Sequence, residues 1–426
     1  MSGLVGRARA GGRPFLGNVS AQVGALACLT VATLMVARLG GPRDVGTFTL
    51  LRLVPWLGAI AVSAGFHAGL PYFLAGVARS DVRLPATIVA TTIVTGALGA
   101  ALWIAGVPFL HRTLIRDVSA SLLAWACLKL LFRLFAIVGK ASTQGTLDAR
   151  GTNVVIFLDE FCFLPAYALV WLLGGRSDAG LVASVILADA AVSAFTWARL
   201  FSRGFWRSGG RPSWPLARRL LAYGSRAQLS NMITLLNLRL DVLILGVLTG
   251  SATVGTYAVA SRYTELLRLP SQALYWVEYP RFARAGEWAA ARARWLLPRA
   301  GAVTALAAAP LALAAGLVIP LLFGSGFAGA VLPAQVLAVG LAVEGVNGVV
   351  TAFLFGTGRP GLISIATGAG LAVTVALDLL LIPRLGVLGA AVASTAAYLT
   401  TDCALVLCFL LVARSHQWIR TEEVTR

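Results

Sequence analysis

The chain has 426 residues, 58% of them hydrophobic and 12% charged, with a mean hydropathy of +0.83 and a formal charge of +18. Soluble domains average about 25% charged residues, so this composition excludes that class and describes an integral membrane protein. In a soluble protein the basic excess would suggest nucleic acid; here no basic stripe is interleaved with aromatics on a polar domain, so that partner is excluded and membrane topology accounts for the charge.

Apolar runs of about 20 residues recur along the whole length, each long enough to cross a hydrocarbon layer of roughly 30 Å as a helix. Period-two alternation is absent and Ala, Leu and Gly dominate, which argues against a β-barrel and for an all-α fold. In chain order the expected spans are 15–38, 45–75, 84–107, 118–139, 152–174, 180–202, 217–248, 254–280, 297–323, 331–356, 361–382 and 388–413. That makes about twelve transmembrane helices. The first follows Arg7, Arg9 and Arg13 without a convincing cleavage site and reads as an uncleaved span. The second contains Pro55, Gly58, Gly65, Gly69 and Pro71, so its backbone is expected to kink.

Connections on one side carry Arg38, Arg43, Arg112, Arg116, Arg176 and Arg384, whereas those on the other carry several times as many basic residues. The positive-inside rule then places both termini in the cytoplasm. The longest polar connection, around SRGFWRSGGRPSWP, separates an N-terminal six-helix lobe (1–202) from a C-terminal one (217–426), with 203–216 as a basic cytoplasmic linker. The halves are related in sequence. VGTFTLLR at Val45 to Arg52 returns as VGTYAVASRYTELLR at Val254 to Arg268, and the same offset joins Arg150 to Arg359 and Gly180 to Gly389. An even number of helices per copy gives both copies one orientation, which is a parallel repeat.

Charges inside the spans are the candidate functional residues. An ionised group at bilayer depth costs at least about 2.5 to 3.5 kcal/mol, so it lines a wet cavity or is paired. Arg52 and Arg262 lie on matching helices, and Arg262, Glu265 and Arg268 follow one another at i+3 spacing with positive charge left over. Lys129 and Arg133 share a helix face; they attract an anion or pair with Asp159, Glu160 or Asp189. Arg226 and Arg239 read as snorkelling residues. Asn18 with Gln22, and Gln228 with Asn231, are either interhelical hydrogen-bond glue or lining of the same cleft. Asp378, Asp402 and Glu344 are isolated acids, suited to cation coupling or to a backbone partner. The five cysteines stand inside apolar runs as small hydrophobes, and three scattered histidines assemble neither a metal cluster nor a nucleophile with its base.

ARLGGPRDVGTFTL (Ala37 to Leu50), the stretch from VGTYAVASRYTELLRLP to PRFAR (Val254 to Arg284), LFGTGRPG (Leu354 to Gly361) and LIPRLGVLGAAVAS (Leu381 to Ser394) resemble the polysaccharide (Wzx-like) flippase branch of the multidrug, oligosaccharidyl-lipid and polysaccharide exporter superfamily. The resemblance spans essentially the whole chain. It implies two six-helix lobes in a V, alternately open to each side of a bacterial plasma membrane, with the first, second, seventh and eighth helices lining the cavity. It also implies a transporter rather than an enzyme, moving an oligosaccharide on undecaprenyl pyrophosphate to the outer leaflet, with coupling to a proton or sodium gradient and glycosyltransferases or a polymerase as pathway partners. The cationic cavity residues of that family match Arg52, Arg262 and Arg268 by helix, with Glu265 orienting them. Lipid II flippases have further helices and an arginine in the first helix, where this chain has Asn18 and Gln22. The rival readings are a cation-coupled multidrug exporter and a membrane glycosyltransferase or ligase.

Overall fold

The computed structural model describes residues 2–77, 81–206, 210–285 and 288–424, with side chains placed for 17–76, 81–206, 210–225, 228, 232, 235–236, 239–279, 281–284 and 288–413. Among them there is helix and turn and no strand. In lipid no water is at hand to satisfy peptide groups, so a chain this apolar closes its hydrogen bonds within each segment. The helices are α1 (Ser2–Val62), α2 (Phe66–Tyr72) running into a π turn, α3 (Leu84–Thr113), α4 (Ala120–Trp125), α5 (Cys127–Gly145), α6 (Ala149–Phe161), α7 (Phe163–Leu172) and α8 (Asp178–Ser202). There follow α9 (Trp214–Thr249), α10 (Ser251–Thr264), α11 (Arg268–Ala285), α12 (Trp288–Phe323), α13 (Val331–Leu341), α14 (Glu344–Gly356), α15 (Pro360–Leu385) and α16 (Val387–Val424).

Every expected span falls on helix. Among the described residues eight helices are long and apolar enough to cross a membrane, nine if the bent pair Ser325–Leu341 and Glu344–Gly356 is one span. One of the eight, Gly17–Val62, covers the first expected span and the first part of the second, with a backbone break between them at Gly41 (φ 74°, ψ −165°), a conformation open to glycine alone. The expected spans 217–248 and 254–280 fall on α9 and on α10 with α11. The kink foreseen in the second span sits at Ser63 to Gly65, where Ala64 and Gly65 have positive φ. Pro55 is passed without a break. Ser63 Oγ takes up the freed backbone there, accepting from the Gly65 amide at 3.2 Å. The five cysteines are free, and none is buried as expected: Cys28, Cys127, Cys162 and Cys408 are half-buried and Cys403 is exposed.

The chain forms two compact units, residues 1–39 with 47–231 and residues 40–46 with 232–426. The division falls inside α9, beyond the 203–216 connection. Its cause is glycine: Gly224 of α9 lies against Gly65 and Phe66 so closely that a Cβ there would overlap the Gly65 carbonyl. The first turns of α9 therefore belong to the first unit.

In the first unit α5 is central, packed on α2, α3, α6 and α8. Gly139 lets α8 come in at Thr196 and Trp197, and the Trp197 indole donates to the Phe135 carbonyl at 3.0 Å. In the second unit α11, α12, α14, α15 and α16 surround a core of Phe282, Phe353 and Phe409, whose rings meet edge to face. Gly345 and Gly348 bring α14 against the Ala300 and Ser271 backbones.

The sequence repeat makes a contact with itself inside the second unit. A Cβ at Gly46 would strike the Ser251 carbonyl, and one at Gly255 would strike the Pro42 carbonyl. Gly46 and Gly255 occupy equivalent places in the two VGT motifs, and Pro42 and Ser251 are equivalent by the same offset. Each motif thus receives the other as it is received, the self-complementary pairing that a local two-fold produces. Gly46→Val and Gly255→Val are each expected to destabilise the protein by at least about 1 to 3 kcal/mol through overpacking. Gly106→Ala, at a glycine with open space around it, is the control, and thermal unfolding in detergent is the measurement.

Candidate functional site

Within the first unit the charged side chains of α1, α5, α6 and α8 meet in one network. Arg52 donates to Glu160 at 2.6 Å and lies 5.4 Å from the centre of the Phe48 ring. Arg133 forks onto Asp159, with its second contact at 3.2 Å, and also reaches Asp189 at 3.4 Å. Lys129, one turn away on the same face of α5, is buried against Asp189. Three cations face three carboxylates. The pairing alternative for Lys129 and Arg133 is therefore the one the structure adopts, and Arg52 joins it through Glu160. Such pairing is obligatory at this depth, because removing one partner strands a charge in low dielectric.

The amides also find partners. Asn18 donates to Asn153 at 3.1 Å, and Gln22 donates to Asn18 at 2.7 Å. Gln228 is buried and donates to the Ile60 carbonyl at 2.9 Å, at the point where α1 ends. Asn231 and Arg226 lie outside the residues whose side chains are described.

In the second unit a 3₁₀ turn, Glu265–Leu267, interrupts the run from α10 to α11. It turns Glu265 toward Arg262, with which it pairs, and toward Arg239 of α9 at 3.8 Å. Arg239, 37% exposed, thus stands at the edge of the cluster. Arg268 opens α11 and lies 4.9 Å from the centre of the Tyr398 ring of α16. Among the described residues no carboxylate comes within 4 Å of it and its guanidinium makes no hydrogen bond. Glu344, Glu265 and Asp402 act on it only at longer range, so the expected surplus of positive charge is offset around Arg268 without being paired to it. Tyr398 is the component that sequence reading missed: its partner lies 130 residues away, and no local spacing signals it.

Three further acids, on α9, α15 and α16, are buried in the second unit. Asp241 accepts from the Val242 amide at 2.8 Å, from Ser394 at 3.3 Å and from the Tyr257 hydroxyl. Asp378 of α15 is wholly buried, and neither of its oxygens has a partner among the described residues. Asp402 accepts from Asn347 at 2.9 Å, and its other oxygen has no partner among the described residues.

A cavity of about 540 Å³ opens at one end of the first unit, beside the α5–α6 turn, and contains none of the residues singled out in the sequence. Asp81, Thr146, Asp148 and Arg203 supply its polar groups. Asp148 caps α6 through the Gly151 amide and accepts twice from Arg199 of α8, at 2.7 and 3.1 Å.

A bundle of membrane-length helices that keeps ion pairs and buried acids in its interior has the construction of a multi-pass membrane protein. Solved structures bear this out at the level of fold. The chain is similar to a multidrug resistance MATE family transporter of the MOP superfamily in its inward-facing conformation, with a TM-score of 0.75 and 17% identity over 93% of this chain and 96% of that one. It is equally similar to the lipid II flippase MurJ in an inward closed conformation, with a TM-score of 0.74 and 10% identity over 95% and 91%. A search of curated proteins finds no match. The sequence model of the polysaccharide biosynthesis protein family matches residues 35–332, well over half the chain, and the protein belongs to that family.

Two measurements test this electrostatic layout. Lys129→Ala, which strands Asp189, is expected to cost about 3 to 5 kcal/mol, whereas Lys129→Met with Asp189→Leu restores most of the loss in thermal unfolding. The Arg199 hydrogen bonds, working against burial, hold the Asp148 carboxyl below the usual carboxylate range. A depressed carboxylate contributes stability that is complete above its unfolded pKa and is lost as pH falls through the folded value. The advantage of the natural protein over Asp148→Asn is therefore expected to stand above about pH 4 and to close below it.

Proposed function

We propose that the protein is an alternating-access flippase of the bacterial plasma membrane, with both termini cytoplasmic. Its cargo is an oligosaccharide linked to undecaprenyl pyrophosphate, moved from the inner to the outer leaflet for surface polysaccharide synthesis. Membership of the polysaccharide biosynthesis family supports the pathway, and the transporter fold supports transport without catalysis. Arg268 carries the reading. A guanidinium keeps its charge at any working pH, presents donors in a fork that fits phosphate oxygens, and here has none of those donors engaged among the described residues. Arg262 with Glu265, and Arg52 with Glu160, are the second tier: a pyrophosphate arriving at either pair replaces the carboxylate on the arginine. Asn18, Gln22, Gln228 and Asn231 offer amides to sugar hydroxyls. Lys129 and Arg133, bound to Asp159 and Asp189, hold the first unit together.

Coupling follows from the unpartnered acid. A bare carboxylate at the depth of Asp378 is stable only when it takes up a proton or a small cation, and Asp241 is the charged group that bears on it. Loading and release of that ion would drive the cycle, and the pathway's glycosyltransferases or polymerase would supply and remove the cargo.

The same free acids also favour a second reading, a cation-coupled multidrug exporter, in which Asp378 and Asp402 receive a cationic drug. The two separate in one experiment on reconstituted protein. A flippase loses lipid-linked oligosaccharide translocation by about ten- to a hundredfold in Arg268→Ala, partly recovers it in Arg268→Lys, and loses its ion dependence in Asp378→Asn. A drug exporter is indifferent to Arg268 and loses efflux with Asp378. Unchanged oligosaccharide translocation in Arg268→Ala would remove the role assigned to that residue.

A further inference from the structure

The chain has eight tyrosines, and four of them form two near-parallel stacks. In the first unit Tyr72, at the end of α2, stacks on Tyr223 of α9 with centroids 4.9 Å apart and planes 1° apart. In the second, Tyr275 and Tyr279 of α11 stack at 5.8 Å and 4°. Both pairs are buttressed from the side by a phenylalanine meeting the two rings edge on: Phe73 in one unit and Phe355 in the other. The rings are not themselves repeat equivalents, since the offset pairs Tyr72 with Arg281 and Tyr279 with Leu70. Pro71 and Pro280 are equivalent by the same offset as the VGT motifs, and Tyr72 and Tyr279 stand beside them.

Packing alone does not account for these rings. Tyr72 is 49% exposed, Tyr223 43% and Tyr279 37%, while Tyr167, Tyr257 and Tyr263 are buried. They are nevertheless fixed in place. The Tyr223 ring lies over the bare backbone of Gly69, where a Cβ would come within 2.9 Å of it. The end of α11 is tied to α12 by Glu278, which is buried and accepts from Arg292 at 2.6 and 2.9 Å. Exposed aromatic rings held in place are suited to one kind of ligand surface in particular. A pyranose ring presents a face of C–H groups carrying partial positive charge, which meets the negative face of an aromatic quadrupole, while its hydroxyls remain free for amides and water.

Along α11 the order of residues matches such a ligand. Arg268, Gln272, Tyr275 and Tyr279 succeed one another at i, i+4, i+7 and i+11, one face of the helix, with Gln272 exposed between the cation and the rings. At 1.5 Å per residue the tyrosines begin about 10 Å from Arg268 and end about 16 Å from it. We infer that the two tyrosine stacks are carbohydrate platforms, each receiving pyranose rings of the glycan, and that α11 reads phosphate at its first turn and sugar further along. The inference rests on the flippase reading for the identity of the cargo; the platforms themselves rest on the rings. An aromatic belt at the membrane interface would also expose tyrosines, but it does not require them to stack in pairs buttressed by a third ring.

The test is saturation-transfer NMR on the purified full-length protein in detergent, with methyl glycosides of glucose, galactose and N-acetylglucosamine as probes. Transfer to the ring C–H protons of at least one glycoside is expected in the natural protein, retained in Tyr72→Phe and Tyr279→Phe, and reduced about five- to tenfold when Tyr72 and Tyr279 are both changed to Leu. The Leu variant is checked by its elution volume and melting temperature, and the Phe variants keep the test open should it fail to fold. No transfer in the natural protein, equal transfer in the folded Leu variant, or loss of transfer in the Phe variants overturns the proposal. Arg268→Ala is expected to keep the sugar signal. Sugar contact at the tyrosines in a protein that moves no lipid-linked oligosaccharide would sink the flippase reading and leave the platforms standing.

Discussion

A charge inside a bilayer must be held by another group of the protein, and much of this molecule follows from that constraint. Lys129 and Arg133 on α5 cannot be exposed to lipid, so α6 and α8 are drawn in by Asp159 and Asp189, and α1 by Glu160 through Arg52. The apolar residues of the same helices contribute little selectivity of their own, because lipid tails are as good a solvent for leucine as another leucine. Ion pairs and close glycine contacts decide which helix meets which. Among the described residues the interior of the first unit is accordingly electrically closed, with Arg52, Lys129 and Arg133 answered carboxylate for cation.

Glycine performs the complementary task. Gly65 against Gly224 carries the beginning of α9 into the first unit, and Gly46 against Gly255 joins the two copies of the VGT motif. At both places backbone meets backbone with no room for a methyl group. These are approaches that only a residue without Cβ permits, and they set the helix crossings on which the charged side chains are then hung.

Among the described residues the second unit departs from that electrical closure. Arg268 rests on an aromatic face instead of a carboxylate, Asp378 has no partner for either oxygen among the described residues, and a 3₁₀ turn separates the helix bearing Arg262 from the one Arg268 opens. Each is a local violation of the rule that organises the first unit. Groups left unsatisfied in a protein interior persist where a ligand or an ion completes them. Arg268 and Asp378 are the groups on which the proposed cargo and ion sites rest.

The sequence by itself determined the class of this protein. Hydropathy, periodicity and the repeat are local or near-local properties, so the membrane setting, the all-helical fold, the approximate spans and the doubled plan are legible from composition and spacing, and Asp159, Glu160 and Asp189 stand out as the only acids suited to answer α5. What the sequence left open was partner choice. Whether Arg133 meets Asp159 or a phosphate, whether Arg239 escapes to the surface or turns to Glu265, where the second span bends, and which helix contributes Tyr398 beneath Arg268 all depend on groups tens to hundreds of residues apart. Only the tertiary structure decides them, because an ion pair or a ring stack is fixed by distance in space, and spacing along the chain records distance for a turn or two of helix and no further.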